Sequence, residues 1–94
     1  MNYIRVSVII HGYVQGVAFR ANTQSMANRL QVKGWVKNNA DGTVHAVFEG
    51  EKQAVDNMLA WCRRGPIGAQ VHNVEIVPQS YTGEFKDFEI SYDW

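Results

Sequence analysis

Gly12-Tyr13-Val14-Gln15-Gly16-Val17-Ala18-Phe19-Arg20 joins two segments of different period, and that junction decides the fold. Upstream, residues 3–11 alternate: Ile4, Val6, Val8 and Ile10 are apolar while Arg5, Ser7 and His11 interrupt the other face, the pattern of a half-buried strand. Downstream, Phe19, Thr23, Met26, Ala27 and Leu30 draw one stripe on a helix of about three turns. The stretch is therefore a glycine-bearing loop at a helix start, a place where proteins hold phosphate. Gly12 and Gly16 can adopt the positive φ angles that turn successive backbone N–H groups toward one point, and the helix adds its unpaired amides and positive dipole end. Arg20 supplies a planar fork able to grip two phosphate oxygens at once. From Gly12 to Arg20 there is no Ser, Thr, Cys, Asp, Glu or His to attack phosphorus or move a proton. Chemistry there has to use water.

Outward from the loop, Val32 to Asn38 reads as a second strand. Thr43 to Glu49 reads as a third, with Val44, Ala46 and Phe48 on one face and Asp41-Gly42 marking the hairpin between the two. A second helical stripe at Ala54, Val55, Met58, Leu59 and Cys62 ends where Gly65 can cap and Pro66 prevents continuation. Val71 to Val77 and Phe85 to Tyr92 are two further strands, separated by the turn-prone run from Pro78 to Gly83, and their order in the sheet stays open. The pattern β-α-β-β-α-β plus a C-terminal strand is an α+β fold. It consists of two split βαβ halves forming an antiparallel sheet with both helices on one face. Lys33 and Lys37 on the second strand would protect a sheet edge as well as serve an anion.

A chain of 94 residues, 46% hydrophobic and 19% charged, fits one domain over residues 1–94. No apolar run approaches the ~20 residues needed to cross a bilayer, and the N-terminus lacks the pattern of a secretory signal, so a cytoplasmic monomer with no membrane partner is expected. The lone Cys62 falls on an apolar helix face and reads as a core thiol. The formal net charge of zero hides an asymmetry: residues 1–40 carry Arg5, Arg20, Arg29, Lys33 and Lys37 and no acid, while all nine acids lie from Asp41 onward. Uneven scatter of surface charge is the plain explanation, and a field favouring an anion at the loop is the functional one. A nucleic-acid surface would show an overall basic excess, which is absent.

The topology brings a second residue to the loop. Strands one and two flank a crossover helix, run parallel, and end on the same edge of the sheet, so Asn38 comes beside the glycine loop. With strand three between them, the gap is two strand spacings, roughly 9 to 10 Å. That leaves room for a phosphate held by Arg20 and a water held by Asn38. Alone, an asparagine ahead of Asn39 and Asp41-Gly42 reads as a turn residue bonding its own backbone. Thr43, at the start of the third strand, is a candidate support for Asn38 or the water.

The first stretch closely resembles the signature G-x-V-Q-G-V-x-F-R of the acylphosphatase family, matching every fixed position. Gly34-Trp35-Val36-Lys37-Asn38 is similar to that family's G-W-V-x-N, with Asp41-Gly42-Thr43-Val44 following, and Gly65-Pro66 with Ala69 and Val71 resembles its G-P-x-x-A-x-V. The resemblance implies a ferredoxin-like fold and hydrolysis of small-molecule acyl phosphates to a carboxylate and inorganic phosphate, with no metal or organic cofactor. It also implies roles: Arg20 binds phosphate, Asn38 orients the attacking water, and the backbone of Tyr13, Val14, Gln15, Gly16, Val17, Ala18 and Phe19 forms the cradle. One departure is visible. Members commonly carry L-G-L after the first helix, where this chain has Leu30-Gln31-Val32, so Gln31 would be strained in a left-handed cap. A related domain also fronts larger carbamoyl-transferring maturation proteins; a 94-residue chain favours an independent enzyme.

The chemistry is consistent without the family. Phosphoryl transfer passes through a loose, charge-spread state that positioning and electrostatics can stabilise. An acyl phosphate expels a carboxylate of pKa about 4 to 5 without a proton donor. A phosphate monoester expels an alkoxide and demands a metal pair or an acid, which the loop lacks. His11, His45 and His72 lie on three different strands without ligand spacing, so no metal site is expected, although His11 stands close enough to influence the loop's charge. Trp35, Trp61 and Trp94 read as packing or partly exposed aromatics, and Val14, Val17 and Phe19 as the residues that anchor the loop by burial. Two other readings compete: a non-catalytic anion-binding regulatory module on the same fold, and an RNA-binding β-α-β-β-α-β domain, which lacks the basic aromatic strand it would need.

Overall fold

A computed structural model describes residues 2–92. Its elements are β1 (Tyr3–Tyr13), α1 (Phe19–Leu30), β2 (Lys33–Asn38), β3 (Val44–Glu51), α2 (Lys52–Arg64), β4 (Gln70–Gln79) and β5 (Phe88–Ser91). The sheet order is β4-β1-β3-β2-β5, so β3 does lie between β1 and β2. The alternation in β1 sends Val6, Val8 and Ile10 into the core, where they meet Phe48, Ala46 and Val44 at paired positions of β3. Phe19 and Ala27 of α1 and Val55, Met58 and Cys62 of α2 cover this face. Trp61 joins them, with its ring 5.4 Å from that of Phe19. Trp94 lies outside the described residues.

The sheet is mixed, with β5 running parallel to β2, rather than wholly antiparallel. The reason lies in the segment after β4. That strand runs back along β1 to the sheet end where β1 begins, and the chain then crosses this end before rising beside β2. Glu49, 2% exposed, accepts hydrogen bonds from the backbone N–H (2.9 Å) and hydroxyl (3.1 Å) of Thr82. Arg5 bonds the Gln79 side chain (2.9 Å) and Glu84 (2.6 Å), and its guanidinium lies 5.0 Å from the Phe85 ring centre. Crossing at one end leaves β5 only the parallel direction. A second consequence corrects the expectation for Lys33 and Lys37: with β5 paired to it, β2 is an interior strand and needs no edge guards.

Two local features carry stability tests. Gln31 closes α1 in the left-handed region (φ 59°), while Val32 N–H reaches back to the Ala27 carbonyl (2.8 Å). A side chain there is strained, so Gln31→Gly is expected to raise the unfolding free energy by about 0.5 to 1 kcal/mol in denaturant titration. An unchanged or lower midpoint would contradict the strain. Burial pushes the Cys62 thiol up to about 12. A folded protein at neutral pH is therefore expected to leave Cys62 unreacted with an aromatic disulfide reagent until denaturant is added, and fast labelling of the native protein would refute this.

Candidate active site

The loop between β1 and α1 is short because its ends are already committed to regular structure. Tyr13 remains in β1 paired with Gln70, and Phe19 opens α1. Val14 and Phe19 are buried and Val17 is half-buried against the core, so the chain between them is held from below. The two glycines divide their duties differently from the sequence reading. Gly16 lies in the loop at φ 77°, with open space where a side chain would begin. Gly12 instead stays in the strand at a register shift against β4. A Cβ there would stand 2.0 Å from the Gln70 carbonyl oxygen, so close strand approach is what requires glycine.

Ala18 was not distinguishable in the sequence. It sits at the N-cap of α1 with φ 58° and ψ 32°, the left-handed region that costs a residue with a side chain about 1 kcal/mol or more. No side chain caps the helix, and its first turn contains no acid. The orphan amides that begin any helix are thus left without the usual intramolecular acceptor. The Ala18 carbonyl points the other way, accepting from the backbone N–H (3.1 Å) and side-chain amide (2.8 Å) of Asn22.

A cleft of about 150 Å³ adjoins this loop, and its lining includes Gly16, Ala18, Arg20, Asn38 and Tyr92. Residues 18 positions apart in sequence, Arg20 and Asn38, therefore share one opening. The Arg20 guanidinium lies 4.9 Å from the centre of the Tyr92 ring, and no carboxylate among the described residues pairs with it. Asn38 ends β2 opposite Val44, and among the described residues no hydrogen bond holds its side-chain amide. Both side chains are half-buried. The basic excess of residues 1–40 is reduced elsewhere, since Arg5 is spent on Glu84 and Glu49 at the far end of the sheet. A larger cleft of about 390 Å³ lies at that far end, beside Tyr3, Lys33 and Glu49; it adjoins the start of α2 at Glu51 and Ala54, but carboxylates line it and it lacks the glycine loop.

The turn after Asn38 is tightly bonded. Thr43 donates its hydroxyl (2.6 Å) and backbone N–H (3.0 Å) to Asp41 Oδ1, and the Asn39 side-chain amide donates to the Thr43 hydroxyl (2.9 Å). These bonds from Thr43 hold the exposed Asp41 carboxyl below its ordinary range. Thr43 accordingly contacts the turn, with its hydroxyl already engaged by Asn39 and Asp41. The Gln15 side-chain amide adds two bonds from the loop, to the carbonyls of Asn39 (2.8 Å) and Thr43 (2.9 Å), a link that sequence reasoning missed. Among the described residues, two of the three histidines have side-chain partners: His11 bonds Glu75, and His45 bonds the Ser7 hydroxyl (3.0 Å) beside Trp35. Burial, then Lys37, lowers the pKa of His45.

Residues 6–90 match the family described as Acylphosphatase. The chain belongs to the acylphosphatase family. It is 53% identical over 89 residues to the acylphosphatase of Geobacter sulfurreducens, covering 95% of this chain and 98% of that one. It is 46% identical over 92 residues to the acylphosphatase of Pelotomaculum thermopropionicum, covering 98% and 100%. The crystal structure of acylphosphatase from Bacillus subtilis superposes with a TM-score of 0.91 at 29% identity, covering 95% of this chain and 99% of that one. The mixed five-stranded sheet with two helices is thus the ferredoxin-like acylphosphatase fold. Among the described residues, no helix is long and apolar enough to cross a membrane, and no group of three or more His, Cys, Asp or Glu is placed to hold a metal ion.

Proposed function

We propose that this chain hydrolyses small-molecule acyl phosphates to a carboxylate and inorganic phosphate by direct attack of a water that Asn38 orients. The supporting observation is that Arg20 and Asn38 line one cleft beside a helix start left without a side-chain cap. In this reading the phosphate sits over the loop amides, with Arg20 gripping two of its oxygens. The water oxygen forms a bond to phosphorus as the bond from phosphorus to the acyl oxygen breaks. The carboxylate departs with that electron pair, and the water's proton passes to the released phosphate or to solvent. No protein acid is required because the leaving carboxylate is a weak base. A neutral amide is suited to hold the water, since a carboxylate there would repel the phosphate dianion. The reaction so drawn uses no metal and no organic cofactor, and we assign it to a cytoplasmic monomer.

The test is hydrolysis of benzoyl phosphate by purified protein in excess chelator, with inorganic phosphate titrated as a competitor. Turnover that survives chelation, with competitive inhibition by phosphate, supports the reading. Phosphate binding with no turnover would replace it with an anion-binding module.

A further inference from the structure

We propose that Gln15 is a positioning residue whose side-chain amide braces the anion loop against the hairpin carrying Asn38, and so sets the spacing between phosphate and attacking water. The inference rests on the function proposed above and adds a role for a side chain that touches neither reactant.

The geometry is specific. Gln15 precedes Gly16, which lines the cleft, and its amide nitrogen reaches the carbonyls of Asn39 (2.8 Å) and Thr43 (2.9 Å), the first of which follows Asn38. The brace therefore sits one residue from the cleft on both sides. Both amide hydrogens have an acceptor, which leaves the group no freedom to turn. The hairpin does not need Gln15 in order to close. The Thr43 carbonyl also accepts from the Asn39 N–H (2.9 Å), and the Asn39 carbonyl from the Gly42 N–H (3.2 Å). What Gln15 adds is a side-chain link from the loop to both ends of the turn that follows Asn38, whose strand β2 is separated from β1 by β3. Without it, the loop and Asn38 are referred to one another through β3 and through the packing of α1 against β2, neither of which bonds the loop to the turn itself. A misplacement of about 1 Å between reacting groups can cost about 100-fold in rate.

Gln15→Met retains length and loses both donors, and Gln15→Glu points a carboxylate at two carbonyl oxygens. Benzoyl phosphate kinetics, with inorganic phosphate as competitor, should be measured for wild type, Gln15→Met, Gln15→Glu, Asn38→Ala and the Gln15→Met/Asn38→Ala double variant. Both Gln15 variants are expected to lose about 10- to 100-fold in kcat, with the phosphate inhibition constant shifted by no more than about threefold. In the Asn38→Ala background, Gln15→Met should change kcat by less than about twofold, because the water it helps to place is no longer held. A purely structural role predicts the same loss in both backgrounds, and that result would overturn the proposal, as would wild-type kcat in Gln15→Met. Wild-type turnover in Asn38→Ala would overturn the water-holding role and the brace together, whereas loss there alone would strike only the brace. Hydrogen exchange of the Gln15 side-chain amide in the unmodified protein keeps the test open if the variants fold poorly. Slow exchange of both protons is expected, and free exchange would refute the contact.

Discussion

Arg20→Ala is expected to lower kcat/KM for benzoyl phosphate by about 10³-fold or more and to weaken inhibition by inorganic phosphate in parallel. Arg20 projects from the first turn of α1 into the cleft, and no carboxylate among the described residues neutralises it. Its charge is therefore available to substrate in both the ground state and the transition state, so binding and turnover fall together. The loop amides remain in the variant, but as partial charges they do not replace a bidentate cation. Arg20→Lys should recover little, because an ammonium is a point charge without the planar fork. Arg20 is half-buried and outside the core, so the unfolding midpoint should hardly move. Activity within tenfold of wild type, or unchanged phosphate affinity, would remove Arg20 from the site.

Asn38→Ala should divide those two quantities. Its kcat is expected to fall by about 10²- to 10³-fold, comparable to deleting one preorganised donor at a reacting centre, while phosphate inhibits as well as before. The difference follows from placement: Arg20 belongs to the loop and helix, Asn38 to the end of a strand two positions away in the sheet, and only the second side is altered. Asn38→Asp should be no better than alanine despite its similar shape, since it brings a negative charge toward the dianion. Joint loss of phosphate affinity and turnover in Asn38→Ala would show that this side chain holds phosphate, and the division of labour would fail.

Much of this was legible because it depended on patterns that single segments carry. The alternation of β1, the stripes of both helices, the Asp41-Gly42 hairpin and the Gly65-Pro66 stop each required only local residue spacing, and the convergence of Arg20 and Asn38 followed from parallel strands around a crossover helix. What was not legible depended on partners distant in sequence. Glu49 is buried as a charged group because Arg5, Thr82 and the crossing segment meet it, and no property of residue 49 alone announces that. The same crossing fixes Phe85 on Arg5, so β5 begins at Phe88 rather than Phe85, and its parallel pairing with β2 was beyond reach. Ala18 adopts an unfavourable conformation imposed by the elements on either side. Gln15 bonds carbonyls, which every residue possesses, so its motif position gave no indication of the partner.

The insertion of β3 between β1 and β2 also bears on how the protein acquires its chemistry. Strand, loop and first helix are continuous in the chain, but Asn38 stands at its working position only when β3, later in the chain, lies between β1 and β2. Contacts of that range are entropically slow to close. During refolding, turnover should therefore return only with the completion of the sheet's centre.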